Sequence, residues 1–295
     1  MESTPRTYML DLDVDVMLLI LAHLSSGDAL RLAAAARALR PIALARAYSD
    51  VTLTRAAQTA AFCAHMLADT PRRPCSMRRL DIRHRAAEDE AYSWNARRGR
   101  KLLRALAALI RDARELRALA LPAAEMLLLT EPHVGAAVAS LPRLARLHLE
   151  KAGSSALGML RAAQGRVEDL RIASMIKVVP AREVLSGVAA LSYLRTLHLH
   201  CPDAWMNASR EVLSGIASLP HLQTLYLYWP FKWTDVLTTE TASLPSSLSL
   251  RQLHMYCGGS SISAEILARI YPNLEEVDCV ESNWQWEARY DHVGL

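Results

Sequence analysis

Imidazoles, phenols and guanidinium groups recur beside leucines in this chain, and they are the side chains whose type and spacing could do chemistry. His148, His198, His200 and His254 stand in the strings Leu147-His148-Leu149, Leu197-His198-Leu199-His200 and Leu253-His254-Met255. Tyr226, Tyr228 and Tyr256 take matching places, and Arg146 and Arg171 occur in related strings. Three chemistries are open to such a set. Converging imidazoles could hold a metal ion, but no Asp, Glu or Cys partner is set by the spacing. An imidazole could serve a nucleophile, yet the chain has no G-x-S-x-G, no H-E-x-x-H and no Gly-rich phosphate loop. Rings with polar tips and planar cations could instead anchor a protein partner. The third reading is the expectation here: binding without catalysis, cofactor or metal. A merely polar, solvent-facing surface is the plainer alternative.

The elements that would position these residues come from a repeat. The pattern apolar, two variable, apolar, one variable, apolar begins at Tyr48, Met77, Leu116, Leu144, Val167, Leu194, Leu222, Leu250 and Leu274. Successive starts lie 29, 39, 28, 23, 27, 28, 28 and 24 residues apart. Two stretches, Arg182–Leu191 and Arg210–Leu219, are near copies. L-x-x-L-x-L at this period is the leucine-rich-repeat signature. Its alternation predicts a short strand with one buried face. Helical stretches such as Arg182–Ala190 and Ala264–Tyr271 separate the strands, and Pro142, Pro220 and Pro272 break them. Stacked units predict an α/β solenoid over residues 48–281, with a concave parallel sheet and convex helices. The third, fifth and seventh pattern positions then face the concave side. Arg146, His148, Arg171, His198, His200, Tyr226, Tyr228, His254 and Tyr256 become the candidate substrate-binding residues, with Trp229 adjacent. Arg146 and Arg171 at the border suggest an acidic or phosphorylated ligand.

The bulk numbers narrow the classes. Of 295 residues, 52% are hydrophobic, which excludes a disordered chain. A net charge of +4 is slight for this length and does not suggest nucleic-acid binding. The five cysteines are widely spaced with no C-x-x-C, which points to reduced, mostly buried thiols of cytoplasm or nucleus. The polar start, Met1 to Thr7, does not read as a signal peptide, and Val14–Leu24 is too short to span a bilayer. The 39-residue step marks a charged insertion at about 83–101, carrying Glu88-Asp89-Glu90 and the basic run Arg97 to Lys101. It reads as a partner loop or nuclear-import patch, or as a solvated loop leading into a helix Leu102–Ile110. Residues 282–295, with Trp284 and Trp286, form a tail.

Ahead of the repeats, residues 8–47 predict three helices. The first contains Val14, Val16, Met17, Leu18, Leu19, Ile20, Leu21 and Leu24, too much apolar surface for so small a module to bury alone. Ser25 to Asp28 reads as a capping box before a helix Ala29–Leu39, and Pro41 opens a third helix. The text Leu12-x-x-Asp15-Val16-x-x-x-Ile20-Leu21-x-x-Leu24, then Asp28-Ala-Leu30-x-Leu32, then Ala36-Arg37-x-Leu39-Arg40, resembles an F-box. With the repeats, nearly the whole chain resembles the fungal F-box proteins with degenerate leucine-rich repeats. The family's Leu-Pro start is Leu12-Asp13 here, its Cys is Ala36 and its Trp is Leu39.

That resemblance implies a substrate receptor of a Skp–cullin–F-box ubiquitin ligase. Leu12, Val16, Leu19, Ile20, Leu24, Leu30 and Leu39 would contact a Skp-type adaptor, which brings a cullin, while the concave sheet holds a protein substrate. The alternative is a leucine-rich-repeat scaffold or inhibitor that binds a protein without ubiquitination. Neither reading calls for nucleic acid or membrane.

Overall fold

Helix and strand alternate along nearly the whole chain because apolar residues recur at two periods. In the computed structural model, the described residues are 12–68, 74–83, 97–173, 179–201, 205, 209–229, 247–257 and 264–281. Three helices come first: α1 (Val14–Ala22), α2 (Ser26–Ala35) and α3 (Arg40–Ala47). The repeats follow as β1 (Asp50–Leu53), α4 (Ala56–Leu67), β2 (Arg79–Ile82), α5 (Arg97–Asp112) and β3 (Ala118–Leu121). Next come α6 (Ala124–Thr130), α7 (Pro132–Ala139), β4 (Arg146–Leu149), α8 (Ser154–Ala162), β5 (Asp169–Ile172) and α9 (Ala181–Ala189). The series ends with β6 (Thr196–His200), α10 (Ser209–Ala217), β7 (Thr224–Trp229), β8 (Gln252–Cys257), α11 (Ala264–Ile270) and β9 (Glu276–Glu281).

The nine strands form one all-parallel sheet in sequence order, β1 to β9. This is the solenoid-like α/β architecture that the repeat predicts. Register aligns the second apolar position of every repeat, from Val51 through Leu80, Leu119, Leu147, Leu170, Leu197, Leu225 and Leu253 to Val277. All but the last are buried in a continuous core. Val277 is 47% exposed because β9 has no further described strand beside it.

Helix packing explains the near-copied repeats. A Cβ on Gly187 would lie 3.2 Å from Leu157 Cδ2, and one on Gly215 only 2.4 Å from Leu185 Cδ1. Glycine at the same place in both copies lets α9 approach α8, and α10 approach α9, over a leucine. Elsewhere a carboxylate ties neighbours together. Buried Glu125 on α6 accepts from the amides of Ser155 (3.0 Å) and Ala156 (3.1 Å), satisfying the otherwise bare N-terminus of α8.

Two helices, α2 and α5, differ from the sequence expectations by more than a residue or two at an end. Helix α2 starts at Ser26 rather than Ala29 and stops at Ala35, because Ser25 is itself the N-cap and accepts from the Asp28 amide. Ala36, the next residue, is extended. Helix α5 starts at Arg97, so the basic run Arg97 to Lys101 is its first turns and not a loop. Residues 84–96, with the acidic run, and the tail 282–295 lie outside the described residues, as does the Trp229 side chain. No described helix is long and apolar enough to cross a membrane.

Candidate functional site

Two surfaces collect the candidate residues. The first is on α1. Met17 and Leu21, one turn apart, are buried toward the module, while Val14, Val16, Leu18, Leu19 and Ile20 are exposed. Val16 and Ile20 are 43% and 40% exposed. Leu30 on α2 is also exposed, Leu12 and Leu24 are half-buried, and Leu39 is 3% exposed, within the module. Arg46 on α3 holds α1 in place. Its guanidinium donates to the carbonyls of Leu21 (3.1 Å) and Leu24 (2.8 Å), at and just past the C-terminal end of α1, and to Ser49 Oγ (2.8 Å) at the start of the repeats.

The second surface is the concave sheet. Parallel in-register pairing sets the fifth-position residues in a row: Thr52, Asp81, Ala120, His148, Arg171, His198, Tyr226, His254 and Asp278. The rings stack along this row. His198 and Tyr226 have centroids 4.0 Å apart and Tyr226 and His254 4.4 Å apart. One position on, Tyr228 and Tyr256 stack at 4.4 Å, with His200 paired to Tyr228 in the register. Strand spacing of about 4.8 Å puts flat rings of adjacent strands near stacking distance. The stacked rings lie with their planes nearly parallel and are only half-exposed.

Electrostatics differ between the two halves of the face. Burial, then Arg171, then His148 and His254, push the His198 imidazole down to about 3. Burial, with Arg171 and Arg83, pushes His148 down to about 4. Both rings are therefore neutral at pH 7, and His198 Nε2, 3.9 Å from Asp169 Oδ1, forms no ion pair there. Arg171 neighbours the ring row, whereas Arg146 on β4 lies two strands from His198 and belongs to a separate hollow. That hollow, about 20 Å³, lies over Ala118 and Ala120 and is lined by Arg79, Asp81, Arg146, His148, Asp169 and Arg171. Arg79, Asp81 and Asp169 are its members outside the candidate set. Their signal was the adjacency of two alanines at concave positions of β3 to charged residues on both sides.

Among the described residues, no three His, Cys, Asp or Glu side chains converge to hold a metal ion. Neither a protein-family model nor a curated protein matches this chain.

Proposed function

We propose that the chain is the substrate-recognition subunit of a Skp–cullin–F-box ubiquitin ligase. One observation carries the reading: a helix with five exposed large aliphatic residues, Val14, Val16, Leu18, Leu19 and Ile20, opens a three-helix segment ahead of a solenoid whose concave face presents a stacked row of rings. Exposed aliphatic area of this kind is stabilised by a partner groove, at roughly 25 cal/mol per Å² buried. In this reading residues 8–47 hold the Skp-type adaptor and, through it, a cullin. Residues 48–281 hold the protein substrate, in cytoplasm or nucleus. The chain contributes no chemistry. Binding both partners at once raises the effective concentration of substrate beside the ubiquitin-conjugating enzyme.

The test is affinity purification of the full chain with the proteasome inhibited. Recovery of an adaptor and a cullin supports the proposal. Recovery of a partner protein without either points to the scaffold or inhibitor reading, in which α1 is an end cap of the solenoid.

A further inference from the structure

We propose that the hollow over Ala118 and Ala120 is a receptor for one carboxylate side chain of the protein partner. The inference rests on the substrate-receptor reading only in taking the occupant to be a protein. Two consecutive concave positions of β3 are alanines, while the matching positions of β2 are Arg79 and Asp81 and those of β4 are Arg146 and His148. The gap is therefore a missing pair of side chains walled by long polar ones. Its volume of about 20 Å³ admits a group little larger than a water molecule.

Charge and hydrogen bonding select the occupant. Three arginines face two aspartates in the lining, a surplus of one positive charge. Asp81 is already engaged by Arg83, Nε to Oδ2 at 2.8 Å. Among the described residues the Arg146 guanidinium makes no hydrogen bond or ion pair, and it is exposed at the rim. Buried in the lining, Arg171 Nε, His148 Nε2 and Asp169 Oδ1 have no hydrogen-bond partner. Arg171 Nε–H is a donor, and the neutral His148 ring can present a second N–H in one tautomer. A carboxylate accepts from both and from Arg146, and its single charge cancels the surplus, while Asp169 Oδ1, itself an acceptor, is left to the attraction of Arg171 and Arg146. A phosphate monoester overshoots that charge and is larger than the hollow. A carboxamide leaves the surplus in place. Arg171, which holds down both His148 and His198, is the group such an anion would offset, so these two imidazoles report on occupancy.

The experiment uses the purified full chain with labelled histidines, and the His148 and His198 resonances identified from single His→Gln variants. The probes are blocked pentapeptides of alanine with a central glutamate, glutamine or phosphoserine, titrated at pH 7. The glutamate peptide is expected to move both resonances saturably. The glutamine peptide should need at least about tenfold more, the scale of a lost charged hydrogen bond. Ala120→Leu should abolish the response by filling the hollow. Arg146→Gln, at an exposed side chain that the fold does not need, should weaken it about tenfold. An equal response to glutamine, tighter binding of phosphoserine, or an unchanged response in Arg146→Gln would overturn the proposal. Adaptor recovery is scored separately on the same protein: its failure with the glutamate response intact overturns the ligase reading alone.

Discussion

His198 lies face to face with Tyr226 across one strand spacing, their centroids 4.0 Å apart and their planes within 2°. The pair is continued by His254 on the far side of Tyr226, at 4.4 Å and 9°. Three rings from three repeats therefore make one rigid edge, which loses little conformational entropy when a partner docks.

Tyr226→Ala with Tyr228→Ala removes the centre of this edge and one ring of the second stack. Partner capture should weaken at least tenfold, about 1.4 kcal/mol. Adaptor capture should be unchanged. Proximity labelling with the parent and the double variant compares the captured proteins, and an unaltered set would place the partner elsewhere.

Position on α1 separates binding from folding. Val16→Asp and Ile20→Asp put a charge on exposed sites, so the thermal unfolding of the repeats should stay within a few degrees. Adaptor capture should be lost, since a charge in the contact would be buried unpaired at a cost of several kcal/mol. Leu21→Asp, at a buried site, should instead unfold the helical module. Adaptor capture by both exposed-site variants at parental strength would sink the F-box reading.

The buried column can be tested by alternation. Leu197→Ala and Leu225→Ala, both at fully buried sites, should each cost about 2–5 kcal/mol in denaturant unfolding. Thr196→Ala should cost little. Thr224→Ala should cost about 1 kcal/mol, for its 3.0 Å hydrogen bond to Gln252. Four equal effects would contradict the sheet geometry.

Glu125 and Gly153 should behave as a coupled pair. Glu125→Ala leaves two amides of α8 unsatisfied, at about 1–3 kcal/mol. Gly153→Ala places a Cβ 2.6 Å from the Glu125 carboxyl carbon and should also destabilise. In the double variant the clash has no partner, so the combined loss should fall short of the sum. A double-mutant cycle by chemical denaturation reads this, and strict additivity would contradict the contact.

Acid should weaken the solenoid from the concave face. The folded-state values of His148 and His198, about 4 and about 3, lie below the ordinary imidazole value. The unfolded chain then binds more protons as pH falls below about 6.5, and the folded state loses stability until pH passes below the depressed values. Between pH 7 and 4.5 the two rings should together contribute a loss on the order of 5 kcal/mol. His148→Gln with His198→Gln should reduce that pH dependence, measured by denaturant midpoints at both pH values.

Spacing alone determined the alternation. An apolar residue at every second place in nine strings buries one face of the first eight strands, and the fifth-position row follows from it, because burial of the apolar residues leaves their neighbours no other side. The apolar excess of α1 was equally legible, since Val14 to Ile20 leave no polar stripe. Other features needed the folded chain. Glu125 finds its amides 30 residues away, and no local pattern encodes that meeting. Helix α5 extends back to Arg97 although the run looked like a loop, because Gly99, Leu102 and Leu103 bury their share of it against the repeats. Whether a histidine is charged depends on how much water its neighbours exclude, so nothing in the strings around His148 and His198 marks them as neutral rings. The hollow over Ala118 and Ala120 exists only because strand pairing sets two small residues between long ones. Those residues are 39 and 28 positions away in the chain, at unequal repeat steps, and hydrogen-bond register alone brings them side by side.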